Sequence, residues 1–360
     1  MAKYDIKRKD TKNKLYILEK YAPEETEDIY LLKLIIDNLK TNFKSFESGL
    51  GGNGSTIDRL RDDVNDYDYF YPYYQQVRKM CKKSILEVTG RPDIRYQIID
   101  INDDKAIALS HDFFKEQGNF FYNPFTAYTL KMADHLKFIK PSKYCEGMMV
   151  YINCIDEGFV FVPGYRNITK FTILVHEIEH ALDAINNPNF LKQFFVRETS
   201  AMFMELIGCD WIKEKNANTK DGSKRKLQIH LNVIDVAEVI YLKTQILNLI
   251  KQYPQLSNDE LLKVLMEKYN YGEESLEYLS TYSLSSDYIY QVSYLIAIEL
   301  YSLYQQDKEK ALYILKYIIL KGNNENIFNI LKQFKVELTA NLFQYEDNLC
   351  HDLPKKFSQK

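Results

Sequence analysis

Hydrophobic positions are arranged along most of the chain as they are in α-helices. Residues 24–46 hold enough apolar side chains for a buried helix, and residues 225–253 and 259–269 predict two further helices. Pro254 ends the first of these two, and Ser257-Asn258 precedes the second as a helix cap. The chain is therefore predicted to be mainly α-helical.

Two short runs of β-prone residues interrupt this helical pattern. They are residues 148–153 and residues 159–162, and polar residues and a glycine separate them, which predicts a hairpin. The predicted fold class is thus mainly α with a small antiparallel β-sheet. A chain of 360 residues is long enough for about two lobes, and we predict a helical N-terminal lobe at residues 1–140 and a second lobe at residues 141–360.

The second lobe contains the pattern His-Glu-x-x-His within an apolar segment. His176 and His180 are four positions apart, so on a helix both imidazoles can reach one metal ion. Glu177 lies about 100° round the helix, where its carboxylate can contact a metal-activated water without being a ligand. Neutral imidazole suits zinc, and three protein ligands with one open position are typical of a catalytic zinc site. The alternative is a buried helix that carries two core histidines.

A third ligand is expected from the segment at residues 195–205. Glu198 and Glu205 are seven positions apart, so they lie on the same face of a predicted helix. One carboxylate can bind the metal, and the other can hydrogen-bond a ligating imidazole and so fix its tautomer. Phe203 and Met204 argue against the alternative, an ordinary helix with two solvated glutamates.

The spacing of these segments resembles a known family of zinc peptidases. From the His-Glu-x-x-His helix to Glu198-Thr199-Ser200, with Glu205 seven residues on, the chain is similar to the thimet oligopeptidase and oligoendopeptidase F family. The resemblance covers residues 142–349. It implies a deep cleft between two helical lobes and one zinc ion per chain. The resemblance implies His176, His180 and Glu198 as zinc ligands and Glu177 as the general base. We expect Glu205 and Asp183 to support the ligands from behind by hydrogen bonds.

The same resemblance implies a binding strand for the substrate. In the family, a strand ahead of the zinc helix lines the cleft and pairs with the substrate backbone, as an edge strand can through its free N–H and C=O groups. A purely structural hairpin is the alternative. The residues expected to bind substrate are Phe159, Val160, Phe161 and Val162.

The segment at residues 278–294 resembles the Tyr-x-Tyr-Gln helix near the C-terminus of oligoendopeptidase F. In the family, a tyrosine here donates its hydroxyl to the oxyanion, assisted by a histidine just upstream. Tyr288 and Tyr290 are about 200° apart on a helix, so only one can face the metal, and we expect Tyr290. Tyr282 occupies the place of the upstream histidine. The alternative is that these tyrosines only pack, in a chain that contains 29 of them.

Composition and charge narrow the classes of function. The chain is 46% hydrophobic and 27% charged with a net charge of −3, which gives no electrostatic reason to expect nucleic acid or an anionic membrane as a partner. No apolar run approaches the length of a membrane span, and the charged start has no apolar signal core. Five cysteines without a Cys-x-x-Cys pair favour a reduced, cytoplasmic protein.

These observations predict a zinc-dependent endopeptidase that hydrolyses short or unfolded peptides. Two departures from the family motivate an alternative, a catalytically degenerate peptide-binding protein. Glu179 stands where the family usually has glycine, and no histidine occurs between His230 and His351. The first 140 residues match no family that we recognise and motivate a further alternative, a dedicated processing peptidase for one small peptide. The substrate, the cleavage preference and the oligomeric state do not follow from the sequence.

Overall fold

The computed structural model describes residues 100–139, 147–152, 157–186, 194–215, 221–269, 284–322 and 327–336. The helix predicted at residues 24–46 lies outside the described residues, as do Tyr282 and residues 1–99 of the predicted N-terminal lobe. The division into two lobes with a cleft between them therefore stays a prediction.

The described part of the chain contains ten helices and three strands. None of these helices, within the described ranges, is long and apolar enough to cross a membrane. In chain order the elements are α1 (Asp103–Glu116), α2 (Asn119–Thr129), α3 (Met132–His135), β1 (Leu136–Ile139), β2 (Met148–Ile152), β3 (Glu157–Pro163), α4 (Ile168–Asn186), α5 (Phe194–Lys215), α6 (Asp221–Gln252), α7 (Asn258–Tyr269), α8 (Leu284–Gln306), α9 (Lys308–Lys321) and α10 (Ile327–Gln333).

The two long C-terminal helices predicted from the sequence are present as α6 and α7. The cap expected before α7 is also present. The backbone N–H of Glu260 donates to Ser257 Oγ at 3.3 Å, and the backbone N–H of Ser257 donates to Glu260 Oε2 at 2.9 Å. This reciprocal pair is a capping box, which satisfies two of the N–H groups that a helix start leaves without helical partners.

The three strands form one small sheet in the order β1-β3-β2. Strands β2 and β3 pair antiparallel, with Met149 opposite Val160, and form the predicted hairpin. Strand β1 adds to the other side of β3 in the parallel direction, with Leu136 also opposite Val160. The sheet is therefore mixed rather than purely antiparallel. A four-residue strand directly after a helix is too short to give a pattern in the sequence.

Helix α4 lies in the centre of the hydrophobic core. All but one of its residues from Ile168 to Ala184 are buried, and the helix packs against β3, α5, α1 and α2. Phe171, Leu174 and Val175 are completely inaccessible to solvent. A helix enclosed in this way holds its side chains in fixed positions, which a metal or catalytic centre requires.

Helix α5 is held against its neighbours by hydrogen bonds that are buried or partly buried. Thr199 Oγ1 donates to the carbonyl of Ser293 at 3.4 Å, and Ser293 Oγ donates to the carbonyl of Phe195 at 3.2 Å, which joins α5 to α8. On another side, Lys226 Nζ on α6 donates to Asp210 Oδ1 at 2.6 Å. Helix α5 is thus fixed between α4, α6 and α8.

Candidate metal centre

The two histidines of the motif and Glu198 come together between α4 and α5. His176 Nε2 lies 3.8 Å from Glu198 Oε2, and His180 Nε2 lies 3.7 Å from Glu198 Oε1. One ligand atom from each of these side chains lies within 4.8 Å of the others, and no other such group of three His, Cys, Asp or Glu occurs among the described residues.

The arrangement of these three side chains fits a metal ion. The nitrogen–oxygen separations exceed hydrogen-bond length but lie near the separation of about 3.3 Å between neighbouring ligands of a tetrahedral zinc ion. Glu198 Oε2 is buried and accepts no hydrogen bond within the described residues. A buried carboxylate oxygen without a donor costs free energy, and a bound cation would offset this cost.

Glu177 is buried beside the ligands but is not one of them. It faces Gly147, the residue that precedes β2. A Cβ on Gly147 would lie 2.7 Å from Glu177 Oε1 and 2.6 Å from Ile173 Cγ2. Burial raises the pKa of Glu177 to about 8, although the neighbouring His176 opposes this shift. A carboxyl group that titrates near neutral pH can both accept and return a proton.

Glu205 lies behind His176, on the side away from Glu198. Its Oε2 atom is 3.3 Å from His176 Nδ1. Its other oxygen, Oε1, accepts a 2.8 Å hydrogen bond from the guanidinium of Arg225 on α6. Burial alone would raise the pKa of Glu205, but Arg225 and His176 hold it below its ordinary value. The carboxylate therefore lies next to an imidazole rather than in solvent, but His176 Nδ1 has no hydrogen-bond partner within the described residues, so the predicted hydrogen bond is not made at this geometry.

Arg225 was not identified from the sequence as part of the site. Its partner in the ion pair, Glu205, is 20 positions away on a different helix, so no short-range spacing indicates the contact. The only available signal was a basic residue near the start of a long helix. Such a residue is ordinarily expected in solvent, whereas Arg225 is 5% exposed.

The two histidines have opposite electrostatic environments. Burial would lower the pKa of His176, but the carboxylates of Glu205, Glu177 and Glu198 raise it to about 9. Burial lowers the pKa of His180 well below its usual value, and the charge of His176 adds to this effect. Without a metal, therefore, His176 carries a proton at neutral pH and His180 is neutral.

The predicted hydrogen bond between Asp183 and a ligating imidazole is not formed. Asp183 Oδ2 instead accepts a hydrogen bond from Ser200 Oγ on α5, and His180 Nδ1 has no partner within the described residues. Asp183 lies one helical turn from Glu179, and burial raises the pKa of both carboxyl groups. Neither oxygen of Glu179 has a hydrogen-bond partner in the described part of the chain. We infer that Glu179 is buried as a neutral acid, the form in which a carboxyl group is least costly to bury.

Among the tyrosines expected to act on the oxyanion, Tyr290 on α8 is the one whose side chain the structure describes. Tyr290 is 42% exposed, and it interacts electrostatically with Arg197, which also interacts with Glu198. The role of Tyr290 in catalysis stays a prediction, as do the roles of Tyr288 and Tyr282.

The strand predicted to bind substrate, Phe159–Val162, is the central strand of the sheet. Strand β3, which contains these residues, pairs with β2 through residues 157–161 and with β1 through residues 160–163. Its backbone groups are therefore engaged on both sides, and the strand does not offer the edge that the prediction required. Among the described strands β2 pairs with β3 alone. The edge beside the metal centre is thus that of β2, which begins directly after Gly147.

Comparison with known proteins finds solved structures of similar fold. No protein-family model and no curated protein sequence matches the chain. A solved structure of a proposed oligoendopeptidase F from Bacillus anthracis str. Ames is similar with a TM-score of 0.51 and 15% sequence identity, over 89% of this chain and 63% of that one. A second proposed oligoendopeptidase F is similar with a TM-score of 0.50 and 13% identity, over 91% of this chain and 66% of that one.

These likenesses show that the chain has the fold of oligoendopeptidase F structures. They confirm the predicted mainly helical fold class and, at the level of the fold, the resemblance inferred from the motifs. The chain spans less than two thirds of the length of either structure.

Proposed function

We propose that the protein is a zinc-dependent endopeptidase that hydrolyses short or unfolded peptides. One observation carries this proposal. His176, His180 and Glu198 converge as a metal ligand set, and the acid Glu177 is buried beside them without belonging to the set. This is the arrangement that metal-assisted hydrolysis requires, since the proton acceptor must contact the attacking water while the ligands hold the metal.

The ligand chemistry supports zinc as the metal. Two imidazoles and one carboxylate match the three protein ligands of catalytic zinc sites in peptidases, which leave the fourth position open. When bound, zinc supplies a Lewis acid that polarises the scissile carbonyl and lowers the pKa of a water molecule to about 7. The proposed stoichiometry is one zinc ion per chain.

The residues of the chain itself carry the proton transfers. Glu177 accepts the proton of the attacking water on its carboxylate and later delivers it to the nitrogen of the leaving amine. The backbone at Gly147 packs against Glu177 and limits the positions that the carboxylate can take. In this proposal the hydroxyl of Tyr290 donates a hydrogen bond to the oxyanion of the tetrahedral intermediate.

The sheet supports a peptide as the substrate class. Strand β2 starts next to Glu177 and pairs with β3 alone among the described strands. An extended peptide that adds to this edge would form main-chain hydrogen bonds, which depend little on sequence. Only a short or unfolded chain can present its backbone in this way. Phe159–Val162 then supports the binding strand from behind instead of contacting the substrate.

Glu179 favours a second candidate, a peptide-binding protein with a degenerate centre. This carboxyl group is completely buried next to His180 and has no hydrogen-bond partner in the described residues. A binding protein of this kind need not hold stoichiometric metal, so metal content separates the two candidates.

In both cases we propose a cytoplasmic location, because the described Cys209 is a buried free thiol and the sequence has no Cys-x-x-Cys pair.

Zinc analysis and a peptide-library digest test the proposed function together. We expect one zinc per chain after dialysis, cleavage that a chelator abolishes, and recovery when zinc is added back. His176→Ala should lose both zinc and cleavage, whereas His111→Ala, at a half-buried histidine on α1 outside the candidate ligand group, should retain both. Cleavage that a chelator does not affect, or stoichiometric zinc in His176→Ala, would contradict the proposal.

A further inference from the structure

We propose that Arg225 is a positioning residue of the metal centre, which fixes the orientation of His176 by holding the Glu205 carboxylate in place. The inference rests on the metal centre of the proposed function but not on its catalytic step. It concerns the affinity for the metal, and it gives a function to the buried ion pair between Glu205 on α5 and Arg225 on α6.

The guanidinium of Arg225 is held at two points. One terminal nitrogen donates to Glu205 Oε1 at 2.8 Å, and Nε donates to Thr172 Oγ1 at 3.0 Å. Arg225 is 5% exposed, Glu205 is 7% exposed and Thr172 is completely buried. Because a guanidinium is planar and rigid, two hydrogen bonds to separate acceptors fix its orientation as well as its position.

Because Arg225 fixes the Glu205 carboxylate, that carboxylate can in turn orient the imidazole of His176. Its Oε1 atom is engaged by Arg225, which leaves Oε2 at 3.3 Å from His176 Nδ1. His176 Nδ1 makes no hydrogen bond within the described residues, so the carboxylate acts on it through its charge and proximity. A negative charge on this side of the ring favours the imidazole tautomer that carries its proton on Nδ1. In that tautomer the lone pair is on Nε2, the atom that lies 3.8 Å from Glu198. Arg225 thus acts on the metal through Glu205 and the tautomer of His176.

The contacts form a closed ring of four side chains from three helices. Thr172 and His176 lie one turn apart on α4, Glu205 comes from α5 and Arg225 from α6. Since Arg225 is anchored to the same helix that carries the ligand, a shift of α5 or α6 relative to α4 would strain the ring. A buried ion pair contributes little net stability by itself, so control of ligand geometry is the better reason for this one.

A merely structural role would make a different prediction. If Arg225 only joined α5 to α6, its loss would lower the stability of the metal-free protein and leave zinc affinity unchanged. The chain offers a matched control for that role. Lys226, the next residue, joins the same two helices by a 2.6 Å hydrogen bond to Asp210, and neither Lys226 nor Asp210 belongs to the four-residue ring.

The test compares zinc dissociation constants with the thermal stability of the metal-free protein. Zinc affinity is measured by competition with a chromophoric chelator for wild type, Arg225→Met, Arg225→Lys, Thr172→Val and Lys226→Met. We expect Arg225→Met to weaken zinc binding about 10- to 100-fold, the size of effect found when partners of metal ligands are removed. Arg225→Lys should weaken zinc binding less than Arg225→Met does. The lysine ammonium can still reach Glu205, but it cannot reproduce both hydrogen bonds of the guanidinium, to Glu205 and to Thr172. Lys226→Met should lower the unfolding temperature without changing zinc affinity.

A double variant tests whether Arg225 acts through Glu205. If it does, Glu205→Ala and the double variant Glu205→Ala/Arg225→Met should bind zinc equally weakly, since the second change removes nothing further. Wild-type zinc affinity in folded Arg225→Met would overturn the inference while leaving the proposed function intact. If Arg225→Met does not fold, Arg225→Lys and Thr172→Val decide the question, and wild-type affinity in both refutes it. Failure of the wild type itself to bind zinc would overturn both proposals.

Discussion

Gly147 and Glu177 are so close that the absence of a side chain on the glycine determines where the carboxylate lies. A Cβ at position 147 would come within 2.7 Å of Glu177 Oε1 and 3.1 Å of Glu177 Cγ. The start of β2 can therefore approach the acid only because residue 147 is glycine. This contact couples the sheet edge, where we propose that substrate binds, to the proposed general base.

Replacing Gly147 by alanine should displace Glu177 while leaving the metal ligands in place. We expect kcat to fall by up to about 10²-fold, because a displacement of about 1 Å at a reacting group has consequences of this size. Zinc content should remain one per chain. Gly208→Ala is the control, since a Cβ there meets its nearest neighbour, Phe171, at an ordinary 3.7 Å. Equal kcat in Gly147→Ala and wild type would show that Glu177 is not held by this contact.

Glu177→Gln should abolish most turnover without loss of zinc or fold. Glutamine has the same shape as glutamate, but its amide cannot accept the proton of water. The expected decrease in kcat is about 10²- to 10⁴-fold, the range for loss of a general base. Zinc content and circular dichroism of the variant serve as controls. Comparable turnover in the variant and wild type would exclude Glu177 as the base.

Tyr290→Phe should lower kcat by about 10²- to 10³-fold with little change in KM. A hydrogen bond to the oxyanion is made chiefly in the transition state, so its loss affects turnover rather than substrate binding. Tyr288→Phe is the matched control on the same helix, and Tyr282→Phe tests whether that residue replaces the upstream histidine of the family. If all three variants keep wild-type kcat, the oxyanion is stabilised by other groups.

Zinc affinity should rise with pH between about 7 and 9. Without metal, the surrounding carboxylates raise the pKa of His176 to about 9, so below that pH zinc must displace a proton from this ligand. The dissociation constant for zinc should then decrease by up to about tenfold for each unit by which the pH rises. Above pH 9 His176 is already deprotonated, so its contribution to this pH dependence ends. Calorimetry in buffers of different ionisation enthalpy measures the released proton. A dissociation constant independent of pH in this window would contradict the assignment.

The buried pair of His230 and Tyr294 should make the fold sensitive to acid. The Tyr294 hydroxyl hydrogen-bonds His230 Nδ1, and burial lowers the pKa of His230 from 6.5 to about 3. The folded state keeps this imidazole neutral, whereas the unfolded state takes up a proton below pH 6.5. The contribution of His230 to the free energy of unfolding is therefore fully present above pH 6.5. It decreases as the pH falls from 6.5 towards 3, by up to about 1.4 kcal/mol per pH unit.

Urea unfolding at several pH values between 7.5 and 4.5 measures this effect. The difference in unfolding free energy between wild type and His230→Gln should decrease as the pH falls below 6.5, because glutamine does not titrate. Parallel pH profiles for wild type and His230→Gln would show that His230 is not held neutral in the folded state.

Features that depend on local spacing were predictable from the sequence. The four-residue interval between His176 and His180 fixes their common helix face whatever surrounds the helix, and the apolar residues around Glu205 indicated that its carboxylate is not solvated. The capping residues before α7 and the antiparallel hairpin follow from equally short-range patterns. In each case the residues that determine the structure lie within a few positions of one another.

Features that depend on partners far apart in the chain were not predictable. Strand β1 is four residues long, and its parallel pairing with β3 gives no periodicity of its own, so the central position of Phe159–Val162 could not be inferred. The orientation of Asp183 is set by Ser200 on the next helix, and the burial of Arg225 is set by two other helices. Long-range contacts of this kind are fixed by tertiary packing, which a single sequence does not display.

The position of the metal ligands on consecutive helices has a consequence for the order in which the centre is assembled. His180 and Glu198 are only 18 positions apart in the sequence, so bringing the three proposed ligands together costs little chain entropy. The contact between Thr199 and Ser293, which seats α8 on α5, spans 94 positions. On the ribosome, the ligands emerge well before Tyr290 is synthesised. If the proposed ligands hold zinc, the growing chain can bind it before α8 exists, and the proposed hydrogen-bond donor Tyr290 is added only with α8.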